Sequence, residues 1–92
     1  MRIFSAHFVV IAAEGPGVGH HRLGITAGRK IGGAVKRNRI KRLIREYFRT
    51  RKREIFPDRM PSGADIVIIA RPGSHKLKLE DVAKELDSCL LK

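Results

Sequence analysis

Between Arg29 and Arg53 the sequence places twelve of its 20 Lys and Arg residues and only one of its nine acids, Glu46. The formal net charge of that stretch equals the +11 of the whole 92-residue chain, so the remaining residues are balanced. These residue types fit one chemistry, contact with a polyanion. Lysine supplies a mobile point charge, and arginine a planar fork of donors that matches two phosphate oxygens at once. Asn38 stands among the cations and both donates and accepts, so it can read a base or sugar edge. The candidate contacts are Arg29, Lys30, Lys36, Arg37, Asn38, Arg39, Lys41, Arg42, Arg45 and Arg49. Phosphates held this way release counterions, which makes affinity fall steeply with salt.

A helix is the element that must position them. Ile40, Leu43, Ile44, Tyr47 and Phe48 recur at i, i+3, i+4, i+7 and i+8, the apolar stripe of an amphipathic helix. Arg37, Lys41 and Arg45 form a row on one flank of the stripe, and Arg39, Arg42, Arg49 and Arg53 are assigned to the other. Like charges four residues apart cost roughly 0.2–0.5 kcal/mol per pair in an isolated helix. Such rows imply a polyanionic partner that offsets the repulsion. The helix is predicted from Ala34 to Arg53 or Glu54, ended by Pro57 and the polar segment 58–63. Ahead of it, Gly32 and Gly33 either make a turn or let a phosphate reach free N–H groups at the helix start.

Three strands and a second helix complete the pattern. Ser5–Ala13 is nearly continuously apolar and β-branched, the mark of a central strand. A Gly- and Pro-rich loop over 14–19 follows, and then Arg22–Gly28, whose Leu23, Ile25 and Ala27 alternate with smaller residues. The short loop predicts that these two strands pair as an antiparallel hairpin. Asp65–Arg71 carries four consecutive large apolar residues and reads as a central buried strand. Leu79–Leu91 is a helix that buries Leu79, Val82, Ala83, Leu86 and Leu90 and keeps Glu80, Asp81, Glu85 and Asp87 outside. The order strand, strand, basic helix, strand, helix predicts an α+β layer, one domain over residues 1–92 in which helices cover a small sheet.

Other chemistries find little support. No paired carboxylates, nucleophile elbow, P-loop or CxxC occurs. His7 lies between apolar residues and reads as a structural polar group. His20 and His21 have no carboxylate or thiol at ligand spacing, and read as solvated or phosphate-contacting loop residues. Cys89 is the single cysteine, so no internal disulfide forms, which fits a reducing cytoplasm. No apolar run approaches the ~18–20 residues of a spanning helix. A membrane-surface role for the basic helix is set aside because its stripe has a sheet to cover.

The run Ile31-Gly32-Gly33-Ala34-Val35-Lys36-Arg37-Asn38-Arg39-Ile40-Lys41-Arg42-Leu43-Ile44-Arg45 resembles the protein subunit of bacterial ribonuclease P, whose signature is the Arg-Asn-Arg triplet in a basic amphipathic helix. Arg22–Thr26, Arg29–Gly32 and Asp65–Arg71 resemble its flanking segments, and the likeness runs from about Phe8 to the end. The resemblance implies a noncatalytic subunit of an endoribonuclease. Its partners are a catalytic RNA, which holds most of the Mg2+, and precursor tRNA, whose 5′ end the complex matures. It implies a two-layer α/β sandwich of ribosomal-protein-like type, with a small mixed sheet and a split βαβ unit of left-handed crossover. A cleft between helix and sheet would receive the precursor's single-stranded leader. Arg37, Asn38, Lys41 and Arg45 would face that cleft, and Lys30, Arg39 and Arg42 would contact the catalytic RNA.

Family members carry an N-terminal segment and helix before the first strand, whereas this sequence starts almost at that strand. The expectation is an open apolar sheet face and self-association to cover it. Gly33 stands where the family commonly has Asn, and Val9 and Ile11 where a stacking aromatic is expected. The alternatives are a ribosomal or other structural RNA-binding protein, and a DNA-binding regulator with the helix in a major groove.

Overall fold

The computed structural model describes residues 1–15, 17, 21–55 and 63–91. Four strands and two long helices occur in the order β1 (Arg2–Phe4), β2 (Phe8–Glu14), β3 (His21–Ala27), α1 (Ala34–Arg53), β4 (Ala64–Ala70) and α2 (Leu79–Leu90). The strands form one mixed sheet in the order β1-β2-β4-β3. β2 pairs antiparallel with β1 and β4, and β3 pairs parallel with β4. The chain therefore leaves β3, crosses through α1 and returns as β4, which enters between β2 and β3.

This corrects two expectations. β2 and β3 do not form a hairpin; the hairpin is β1–β2, and Arg2–Phe4 is a strand that the sequence pattern did not single out. The physical reason lies in β4. Ile66 and Ile68 are buried on one face and Val67 and Ile69 are half-buried on the other, so the strand hides most apolar surface when it is paired on both edges. β3 offers Arg22, Gly24 and Thr26 on its outer face and is suited to the sheet edge. The predicted loops over 14–19 and 57–63, with His20, fall mostly outside the described residues.

Phe8, Val10 and Ala12 of β2 and Ala64, Ile66, Ile68 and Ala70 of β4 point to the helical side. There they meet Ile40, Ile44, Tyr47 and Phe48 of α1 and Val82, Leu86, Cys89 and Leu90 of α2 in a single cluster. Cys89 is buried. The opposite face carries Phe4, Val9, Ile11, Val67 and Ile69 in adjacent register, and Phe4 is 66% exposed.

α1 has the predicted limits. It starts where Gly32 takes φ +136°, a conformation that favours glycine, and where an added Cβ would stand 2.6 Å from Lys36 Cδ. Gly33 is the N-cap and supplies no side-chain acceptor, so the first-turn N–H groups stay uncapped. Arg51, Lys52 and Arg53 in the last turn suit the negative end of the helix dipole. α2 starts with Glu80 and Asp81 in its first turn, and Asp81 Oδ2 accepts the Lys78 N–H at 3.1 Å.

Three α2 residues depart from the predicted faces. Leu79 is 39% exposed rather than buried. Glu85 and Asp87 are half-buried rather than outside, and each accepts hydrogen bonds from another element. Glu85 takes the Ser5 hydroxyl, the His7 N–H at 2.7 Å and the His7 ring at 2.8 Å. Asp87 Oδ1 takes the Tyr47 hydroxyl at 2.8 Å and Arg51 Nε at 3.2 Å. A helix wheel weighs polarity and has no knowledge of partners across the core, so it places such acids outside.

Candidate nucleic-acid interface

The interface is built on α1, a rigid 20-residue rod about 30 Å long. Its apolar stripe fixes its rotation against the sheet and thereby fixes where each cation points. Arg37 and Lys41 are half-buried beside the stripe, and Asn38, Arg42 and Arg45 are exposed. Arg37, Lys41 and Arg45 pair with no carboxylate among the described residues. Arg37 Nε is buried with no acceptor of its own there, so the chain leaves this donor unsatisfied. Arg29, Lys30 and Lys36 stand exposed around the glycine turn that opens the helix.

The second basic row needs correction. Arg39 lies on the α2 side, where Nε donates to the His75 carbonyl at 2.9 Å and Nη2 to the Leu77 carbonyl at 3.2 Å. Arg49 belongs to the β3 side. Arg45, Phe48, Arg49 and Lys52 follow i, i+3, i+4 and i+7, and with His21, Arg22 and Leu23 they line a cleft of about 310 Å³ between α1 and β3. The grouping by fours had missed Lys52, which the i+7 spacing from Arg45 brings onto this face. Arg49 already donates Nε to Glu46 at 3.0 Å, and this bond holds the Glu46 carboxyl below its ordinary range. Its guanidinium is thus partly engaged within the helix, whereas Arg45 pairs with no carboxylate among the described residues.

Two further groups show what surrounds the rows. Arg51 faces α2 and Asp87, and its guanidinium lies 6.0 Å from the Tyr47 ring centre. Burial, with the adjacent Asp87, pushes the Tyr47 hydroxyl far above its usual range, so it acts only as a neutral donor. Ser74–Lys76 forms a short turn against the N-terminal half of α1. Its His75 is held below the usual imidazole range by burial and then by Lys36, Lys76 and Arg39. His75 and Lys76 had no periodic pattern to mark them, since they lie in a turn. Among the described residues no three His, Cys, Asp or Glu cluster to hold a metal ion, and no helix is long and apolar enough to cross a membrane.

A family profile for ribonuclease P matches residues 1–92. The chain belongs to the ribonuclease P protein family. The ribonuclease P protein component of Syntrophus aciditrophicus is 47% identical over 91 residues, 99% of this chain and 71% of that relative. Among solved structures, the Staphylococcus aureus RNase P protein matches at TM-score 0.78 and 33% identity, covering 99% of this chain and 77% of that one. The Thermotoga maritima RNase P protein, solved with 1-(4-fluorophenyl)-2-thiourea, matches at 0.81 and 34%, covering 98% and 82%. Membership places the chain among the protein components of a ribonucleoprotein that processes tRNA, with a ribonuclease P RNA as partner. The ribosomal-protein and DNA-regulator readings give way to it.

Proposed function

We propose that this chain is a noncatalytic subunit that grips the catalytic RNA of ribonuclease P and guides the leader of precursor tRNA in the cytoplasm. The observation that carries the reading is the row Arg37, Lys41 and Arg45, held on a rigid helix with no internal carboxylate to neutralise it. The leader follows that row with Asn38 and enters the cleft between α1 and β3, where Leu23 and Phe48 offer an apolar wall beneath Arg45 and Lys52. Lys30, Arg42 and the free part of Arg39 address the catalytic RNA. Mg2+ is held mainly by the RNA, and the chain assists by lowering the phosphate repulsion that the ion otherwise screens. The test is reconstitution with the ribonuclease P RNA of the same organism, followed by precursor tRNA cleavage at low magnesium. Strong enhancement by the chain is expected, and cleavage that is no faster than with RNA alone would sink the proposal.

A further inference from the structure

The turn Ser74–Lys76 sits against the N-terminal half of α1. Arg39 fastens the Ser74–Lys76 turn to α1 through backbone carbonyls, those of His75 and Leu77. The clasp leaves the His75 and Lys76 side chains unengaged by it. The charges that act on the His75 ring are those of Lys36 and Arg39 from α1 and Lys76 from its own turn, and all three are cationic. His75 Nδ1 is buried with no hydrogen-bond partner among the described residues. The fold thus gathers three cations and an unused imidazole from two elements with no acid among them. Like charges so placed repel, and an arriving anion is what relieves them.

We infer that Lys36, Arg39, His75 and Lys76 form a binding cluster for a backbone phosphate of RNA, separate from the Arg37–Lys41–Arg45 row on the other flank of α1. The inference rests on the reading that α1 binds ribonuclease P RNA, and it adds His75 and Lys76 to that interface. It also gives binding a pH dependence. Burial, and then the surrounding cations, hold the ring below its ordinary range in the free chain. A docked phosphate cancels their field, so the complex takes up a proton at His75, and affinity rises as the pH falls through the imidazole range.

The experiment titrates the chain with the ribonuclease P RNA of its own organism, over a salt series and between about pH 5.5 and 7.5. The parent is compared with Lys76→Ala, His75→Gln and Arg37→Ala. Lys76→Ala is expected to lower the slope of log affinity against log salt by about 0.7–0.9. The parent gains affinity on acidification, by up to about tenfold per unit for one proton. His75→Gln loses that gain, whereas Arg37→Ala lowers the salt slope and keeps it. Thermal melts of the His75 and Lys76 variants match the parent, since the clasp uses backbone oxygens. An unchanged slope in Lys76→Ala, or an unchanged pH profile in His75→Gln, overturns the cluster and leaves RNA binding by the Arg37 row standing. A parent chain that forms no complex overturns the wider reading and this inference with it.

Discussion

Single residues set the start of α1 and the docking of α2, and each gives a measurable consequence. Gly32 is required by its φ of +136° and by the Lys36 side chain lying against it, so Gly32→Ala is expected to cost about 1–2 kcal/mol in urea unfolding. Gly33 differs. It is an extended N-cap with open space around its Cα and no side chain to accept a first-turn N–H. Gly33→Asn should raise stability by a few tenths of a kcal/mol, about 1–2 °C in melting temperature for a domain of this size. Glu85 is the residue with a pH signature. Burial pushes its carboxyl up, but hydrogen bonds from Ser5 and His7 outweigh that and hold it below the ordinary 4.5. Its contribution is therefore full above that value and is lost as the pH falls through the folded value. Glu85→Gln should lose about 1–2 kcal/mol at neutral pH, the half-buried site tempering the usual strength of such bonds. Parent and variant should converge as the pH falls through the folded value, below which both carry a neutral side chain; urea midpoints over an acid series decide it.

At the scale of elements, α1 was legible to its limits because its apolar period, its glycine turn and its cationic end all agree. The sheet was legible only in part. Each strand has its own pattern, but pairing is decided by which strand has the most surface to hide, and β4 takes the place beside β2 that chain order had reserved for β3. β1 escaped notice because three residues, one of them Arg2, carry too little pattern to separate a strand from a terminus. The site divided in the same way. The Arg37–Lys41–Arg45 row is a matter of spacing on one helix and is visible in the sequence. The destinations of Arg39 and Arg51 depend on Leu77 and Asp87, whose positions arise only in the folded chain. This separation predicts different outcomes for arginines of equal charge. Arg37→Ala and Arg45→Ala should each reduce the salt slope of RNA binding by about 0.7–0.9 and leave stability nearly unchanged. Arg51→Ala should leave the slope alone and destabilise the fold by about 1 kcal/mol, because it strips Asp87 of one of its two partners. Filter binding over a salt series together with urea unfolding separates the two classes. Equal slopes in all three variants would mean that the helix presents its whole circumference to RNA, contrary to its packing.

The molecule as a whole has two unlike surfaces on opposite sides of one sheet. The helical side carries most of the surplus behind the net charge of +11. The other side exposes Phe4 and half-covers Val9, Ile11, Val67 and Ile69, and no described residue packs over them as a further layer. Apolar contact favours pairing two such faces, whereas two chains of this charge repel over roughly a Debye length, about 10 Å at 0.1 M salt and 3 Å at 1 M. Salt should therefore drive the two surfaces in opposite directions. Light scattering of the free chain is expected to show monomers at about 0.05 M salt and growing self-association towards 1 M, while affinity for RNA falls over the same range. Phe4→Arg, at the most exposed apolar position of that face, should keep the chain monomeric at high salt and leave the slope of RNA binding unaltered, because the face it changes lies across the sheet from α1. A monomeric parent at every salt concentration would show that the face is too small or too well screened by its own side chains to pair. A Phe4→Arg variant with a changed RNA slope would show that both sides of the sheet meet the RNA.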